Sequence, residues 1–245
     1  MPPRLITLGC SLAGAVGLLA LSPAAAQAVS QVKPALSIST PANSYTYGSK
    51  VGLTVTLADT AADRVVSVYA KPAGQPRKLV ATGKVNAKGK LFDTYRITRT
   101  TTFTAVLARG TSAATAATAA SRTVTAAALV ADTITGNYKT AKIDGQTYRV
   151  FRSSGTLILH ASVAPGKKGE CLEPETEQFD AGAGWEADTK YGCDTLNSAS
   201  QDSAPFSLAQ ALGDRYRIRA DYVRSAKDTA NLSAKGPWLY FEVVK

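Results

Sequence analysis

The sequence predicts an all-β protein: two antiparallel β-sandwiches in tandem behind an export signal. Short runs in which apolar and polar residues alternate recur from residue 34 to the C-terminus, each cut off by Gly, Pro, Asn, Asp or Ser. An Ala/Thr-rich stretch of low complexity, SAATAATAASRTVTAAA at 112–128, divides these runs into two sets of similar size and rhythm. With 245 residues the chain has room for two ordinary domains, each with its own core.

At the N-terminus, Arg4 precedes the apolar run LITLGCSLAGAVGLLALS, and small residues ending in Ala26-Gln27-Ala28 follow. This pattern reads as a secretory signal peptide over 1–28, cut at about Ala28. A retained membrane anchor is the competing reading, disfavoured by a run that is short and interrupted by Gly. Cys10 lies inside that run without the flanking pattern of a lipoprotein site, because Thr7 stands where a branched aliphatic residue is expected. A secreted, extracellular protein is expected, with no membrane contact after cleavage. Cys171 and Cys193 then remain, and an even pair in an oxidising space is expected to form a disulfide. Their spacing is not that of a redox C-x-x-C pair, and one histidine does not complete a zinc site with them.

In the first set, residues 34–128, KVGLTVTL at 50–57 puts Val51, Leu53, Val55 and Leu57 on one face and Gly52, Thr54 and Thr56 on the other. LSIST, VVSVYAK, RKLVATG, LFDTYRIT and TTFTAVLA behave alike, separated by TPANSYTYGS, ADTAADR, AGQP and NAKG. The 112–128 stretch reads as a loose last strand, though its alanines also suit a helical turn, and 129–136 is expected to be a linker. In the second set, 137–245, TLILHASVAPG places Leu157, Leu159, Ala161 and Val163 opposite Ile158, His160 and Ser162. With QTYRVFR, ECLEPETEQFD, GWEADTKYGC, PFSLAQAL, RYRIRADYVRS and WLYFEVVK it makes about seven strands, the number of a β-sandwich. PFSLAQAL also suits a short helical turn.

Through SYTYGSKVGLTVTL, VVSVYAKPAGQPRKLVATGKVNAKGKL and TTFTAVLARG, the first set resembles a bacterial immunoglobulin-like domain. The second resembles an immunoglobulin-like domain of secreted actinobacterial proteins, through YRVFRSSGTLILHASVAPGKKGECLEPE, GWEADTKYGC, YRIRADYVRS and NLSAKGPWLYFEV. The resemblance implies tandem immunoglobulin-like sandwiches serving as structural, adhesive or spacer modules, and brings no catalytic motif with it. It also exposes a departure. The disulfide of antibody domains bridges the two sheets, whereas Cys171 and Cys193 flank one strand and its neighbour and are expected to staple a hairpin that Pro174 and Thr176 weaken.

The formal net charge of +10 is unevenly distributed. Residues 29–130 hold 13 Lys and Arg against Asp59, Asp63 and Asp93, whereas residues 131–245 hold 14 against 15 Asp and Glu. A basic first domain favours anionic polymers such as cell-wall polymer, with Lys50, Lys71, Arg77, Lys78, Lys84, Lys88 and Lys90 as candidate contacts. These charges equally suit a merely soluble surface, and no nucleic-acid-binding module accompanies them. In the second domain Arg215, Arg217 and Arg219 alternate with inward residues, and Glu173, Glu175 and Glu177 do the same, so a cross-strand charge ladder is expected.

Little in the sequence suggests catalysis. The sole histidine, His160, is expected on an outward face, and neither G-x-S-x-G nor a phosphate-cradling loop occurs. Three glutamates on one strand do not face each other across a cleft as glycosidase acids do. Asp59 and Asp63 share a loop that suits calcium without a recognised spacing. Trp185, Trp238, Tyr240 and Tyr222 offer either a carbohydrate platform or a packing surface between the domains, the latter being preferred. The expectation is a secreted, non-enzymatic structural or interaction module without cofactor, associated with cell-wall polymer or, alternatively, an adhesin for an extracellular protein or a carbohydrate binder.

Overall fold

The computed structural model describes residues 35–58, 64–107, 118–211 and 213–245. The export segment over 1–28 and the Asp59/Asp63 loop lie outside them. All regular structure among the described residues is β, in two sandwiches as expected, and no helix there is long and apolar enough to cross a membrane.

The first sandwich contains β1 (Leu36–Ser39), β2 (Ser44–Thr46), β3 (Lys50–Leu57), β4 (Val65–Pro72), β5 (Lys78–Lys84), β6 (Lys90–Arg96), β7 (Thr101–Leu107) and β8 (Ala119–Ala127). They form a sheet ordered β1-β3-β6 and a sheet ordered β2-β8-β7-β4-β5. Alternation decides which residues meet between them. Val51, Leu53, Val55 and Leu57 of β3 pack with Val66, Val68 and Ala70 of β4 and Phe103 and Ala105 of β7.

The second sandwich contains β9 (Leu129–Thr135), β10 (Lys139–Ile143), β11 (Gln146–Arg152), β12 (Thr156–Ala164), β13 (Cys171–Asp180), β14 (Gly184–Lys190), β15 (Asp194–Thr195), β16 (Gln201–Ser207), β17 (Arg215–Val223), β18 (Ala234–Lys235) and β19 (Leu239–Val244). These are more strands than the seven or so expected. A three-stranded sheet, β16-β12-β9, faces an eight-stranded one ordered β10-β11-β19-β17-β13-β14, with β15 on β13 and β18 on β17. The core holds Leu157, Leu159, Ala161 and Val163 of β12 against Leu172, Ile218, Phe241 and Val243. PFS of PFSLAQAL belongs to β16, and Ala209 and Gln210 after it form a turn.

Residues 129–136, expected as a linker, are not one. Leu129–Thr135 form β9, antiparallel to β12, with Val130 and Ile134 in the core. The inward position between those two is Asp132, which breaks the apolar alternation that marks a strand in sequence. Only Ala128 separates β8 from β9, and Lys33–Lys245 form one compact unit. The loop between β17 and β18 closes the joint. Leu232 donates to the Ala126 carbonyl (2.8 Å) and accepts from Ala128 (3.0 Å), Thr100 donates to the Ala230 carbonyl (2.7 Å), and the Asn231 carboxamide donates to the Thr98 carbonyl (3.1 Å).

Two interruptions shape the large sheet. Pro174, in the middle of β13, has no N–H to offer, and the neighbouring strand is broken there into β14 and β15. Its carbonyl still accepts from Tyr191 (2.9 Å), and the Cys171–Cys193 disulfide, with Cα atoms 5.3 Å apart, ties the returning chain to β13 within the same sheet. On the other side, β18 and β19 leave Ala220 of β17 without a strand partner for its N–H. Asp132 crosses from the opposite sheet to accept it at 2.9 Å. A Cβ on Gly236 would collide with that carboxylate, which accounts for the glycine.

Two outcomes follow from these interruptions. The disulfide closes a loop with a separation of 22 residues, so replacing both cysteines with serine should cost about 3 kcal/mol in denaturant unfolding. Burial pushes the Asp132 pKa up to about 6, against the Ala220 hydrogen bond that lowers it, with the Asp221 charge adding to the rise. The folded state therefore holds this proton more tightly than the unfolded chain. The stability it contributes is complete below about pH 4 and is lost as pH rises through about 6, on the order of 3 kcal/mol in all. Unfolding of Asp132→Asn followed from pH 4 to 7 should lack this loss and leave the variant more stable than the parent at pH 7.

Candidate functional site

The outward face of the eight-stranded sheet gathers the arginines and glutamates of the expected ladder with Trp185, Trp238 and Tyr240. Along β17, Tyr216, Ile218 and Ala220 point into the core, so Arg215, Arg217 and Arg219 point out. Antiparallel pairing sets Glu175 of β13 opposite Arg219 and Glu177 opposite Arg217. Arg219 Nη2 lies 2.8 Å from Glu175 Oε2, and Arg217 donates through both Nε and Nη2 to Glu177 Oε2. The remaining two residues pair elsewhere. Arg215 sits opposite Glu242 of β19 and reaches Asp144 at 3.3 Å, while Glu173, opposite Asp221, takes Lys190 at 2.9 Å.

Burial acts to raise the Glu175 pKa, but the hydrogen bond and charge of Arg219, with Lys235, outweigh it and hold the carboxyl below its ordinary value. Asp221 goes the other way. Burial lifts its pKa with the help of the Glu175 charge, against Arg219 at 3.2 Å and Lys235 at 3.6 Å.

Aromatic rings interleave with the guanidinium groups. Arg217 lies between the rings of Trp185 (4.7 Å) and Trp238 (4.4 Å), Arg219 covers Trp238 at 4.0 Å, and Arg215 covers Phe179 at 4.0 Å. Trp185 meets Phe179 and Tyr240 edge to face, and Tyr240 meets Tyr148 in the same way. Trp185, Trp238 and Tyr240 are thus together, and half-buried, on one face. The preferred expectation that these aromatics pack between the sandwiches is not met: their partners belong to their own sandwich. Tyr222 leaves the group altogether, turning inward to donate to Asp228 at 2.6 Å. Beside Trp238 and Tyr240 a cleft of about 440 Å³ is lined by Asn137, Thr140, Gln146, Thr147 and Arg149.

The seven basic candidates of the first sandwich are all exposed, but chain direction separates them. Lys50, Lys71, Arg77 and Lys78 lie at the end carrying the β4–β5 turn, near the joint, and Lys84, Lys88 and Lys90 at the opposite end. The length of β5 puts about 20 Å between the two groups. Arg77 stacks on Tyr69 at 3.8 Å. His160 is half-buried between two hydroxyls, Thr135 at 2.9 Å and Ser203 at 2.8 Å, a cross-strand clip over three strands. Among the described residues no group of three His, Cys, Asp or Glu is placed to hold a metal ion. The calcium candidates Asp59 and Asp63 lie outside the described residues.

A second polar cluster, at the joint, carries no signal in the sequence. Lys167, in the β12–β13 loop, is 6 % exposed and places Nζ 2.5 Å from Asp228 Oδ2 and 3.0 Å from Asn231 Oδ1. PGKKGE and KDTANLS read as solvated turns, and only the fold turns them towards each other.

No protein-family model matches the chain, and no curated protein matches it. Among solved structures, it is similar to the tetra-tandem repeat in the extending region of a large adhesion protein, at 15 % identity and a TM-score of 0.35, over 84 % of this chain and 49 % of that one. It is also similar to the D0-D1 domain of Intimin, at 13 % identity and a TM-score of 0.29, over 85 % of this chain and 97 % of that one. The chain spans about half the length of the first of these structures.

The two donations of Arg217 to one Glu177 oxygen, on a partly buried pair, make one rung of the outer face measurable. In a double-mutant cycle of Arg217→Ala and Glu177→Ala, read by denaturant unfolding, the coupling energy should be about 1 kcal/mol, above the few tenths of a fully exposed pair.

Proposed function

We propose that this chain is a secreted, non-enzymatic structural and interaction module: a stiff pair of immunoglobulin-like sandwiches that presents surfaces to extracellular partners. The observation that carries the proposal is the joint. One residue, Ala128, connects the sandwiches, and a loop of the second is hydrogen-bonded to the backbone of the first. A spacer or adhesive array needs such a connection to keep its modules in fixed relation, whereas a hinge would serve closure around a substrate.

Anionic cell-wall polymer is the partner best matched to the first sandwich, whose exposed Lys50, Lys71, Arg77, Lys78, Lys84, Lys88 and Lys90 lie at both of its ends. An extended polyanion reaches both groups where a compact ligand does not. A second reading is favoured by the cleft beside Trp238 and Tyr240, where two aromatic rings adjoin the side chains of Asn137, Gln146 and Thr147, a combination suited to a sugar ring and its hydroxyls.

One preparation of the full chain separates the two. Retention on polyglycerol-phosphate resin at low salt, with release as ionic strength rises past about 0.15 M, is the expected outcome. Absent or salt-independent retention would refute the polymer contact. Titration with wall glycans at millimolar concentration while following tryptophan emission checks the cleft, and an unchanged spectrum counts against the sugar reading.

A further inference from the structure

Lysine at the joint lies where an amine meets a carboxamide with water excluded. Asn231 is fully buried, Lys167 is 6 % exposed, and the Asp228 side chain between their loops is 8 % exposed. Lys167 Nζ is 3.0 Å from Asn231 Oδ1, and the carbonyl carbon Cγ lies one bond of about 1.2 Å beyond that oxygen. The carboxamide is not free to turn, because its Nδ2 donates to the Thr98 carbonyl at 3.1 Å and so keeps the oxygen towards the amine. Asp228 is held as firmly. Its Oδ1 accepts from the Ala230 N–H (2.9 Å) and the Asn231 N–H (3.4 Å), and its Oδ2 from Tyr222 (2.6 Å) and Lys167 (2.5 Å). The Tyr222 ring closes the site 5.6 Å from Nζ.

We propose that Lys167 and Asn231 are a self-modification site at which the two side chains join as an isopeptide amide, with Asp228 as the proton carrier. The ammonium of Lys167 passes a proton to the Asp228 carboxylate along their shared hydrogen bond, leaving a neutral amine. Nζ adds to Cγ of Asn231, forming the Nζ–Cγ bond. The Cγ–Nδ2 bond breaks as Nδ2 takes up a proton from Asp228, and Nζ gives one back to the carboxyl. Ammonia departs, and the proton left on Asp228 follows it, so the carboxylate is restored and one ammonium ion leaves with the positive charge that Lys167 held. No oxidant or external reactant is consumed.

Geometry supplies the rate. Holding a nucleophile against its target in a dry site is equivalent to a very high local concentration. The same hydrogen bonds also slow the step. Burial raises the Asp228 pKa, but the bonds from Lys167, Tyr222 and Ala230 outweigh it and set the pKa at about 2, so the ion pair is the resting state and the reactive amine a minor one. The bond therefore accumulates in the folded protein with time rather than forming as it folds.

Mass spectrometry of the full chain, reduced and then incubated at 37 °C and pH 7 for a week, tests this. The expected result is a deficit of about 17 Da, the mass of ammonia, growing with time. Trypsin digestion should then yield peptide 153–168 joined to peptide 228–235, with cleavage after Lys167 blocked. Lys167→Arg, which keeps the cation and removes the reactive amine, should show neither. An unchanged mass after a week overturns the proposal, as does a gain of about 1 Da from simple hydrolysis of the Asn231 carboxamide. A deficit that persists in Lys167→Arg overturns it too, since the ammonia would come from another residue.

Discussion

A single carboxylate holds the joint. Asp228 accepts from two backbone N–H groups of its own loop, from the Tyr222 hydroxyl and from the Lys167 ammonium. A buried charge is tolerable only when its lone pairs are occupied in this way, and an unpaired one would cost several kcal/mol. Meeting that condition fixes the loop in one shape, and that shape presents Ala230, Asn231 and Leu232 to the first sandwich. The relation between the sandwiches thus draws on a loop that this one charge shapes, bonded to the first sandwich through its backbone and the Asn231 carboxamide.

The outer face of the second sandwich obeys the same rule at lower stakes. Three arginines in a row suggest a cationic surface, yet each guanidinium is covered by an aromatic ring and faces a carboxylate. The positive charge is spent inside the face, in keeping with a second set of strands that is close to neutral. The excess charge of the chain lies in the first sandwich, on lysines and arginines exposed to solvent.

Alternation made much of this legible in the sequence. β3, β12 and β17 were readable because each keeps one face apolar, and the side-chain direction of Arg217 and Arg219 followed from the same rule. Register was not readable. Arg215 and Glu173 point outward as expected, but the pairing of β17 with β13 and β19 gives them other partners. β9 was hidden because Asp132 occupies an inward position, where its role is to accept a hydrogen bond that a broken strand leaves open. Lys167, Asp228 and Asn231 were hidden for a related reason. Polar residues in short turns are normally solvated, and only long-range topology buries these three together.

The joint also bears on how weak contacts add. When two binding surfaces hang on a flexible linker, the second contact forms at an effective concentration averaged over many separations, and ligands of many sizes gain from it. Here Ala128 and the loop carrying Asp228 leave the surfaces of the two sandwiches at one separation. Were the proposed polymer contact to engage both sandwiches, a polymer whose repeat matches that distance would gain the full benefit of two-point attachment, and one that does not would gain almost none. Selectivity would then lie in the spacing, even where each surface by itself discriminates little.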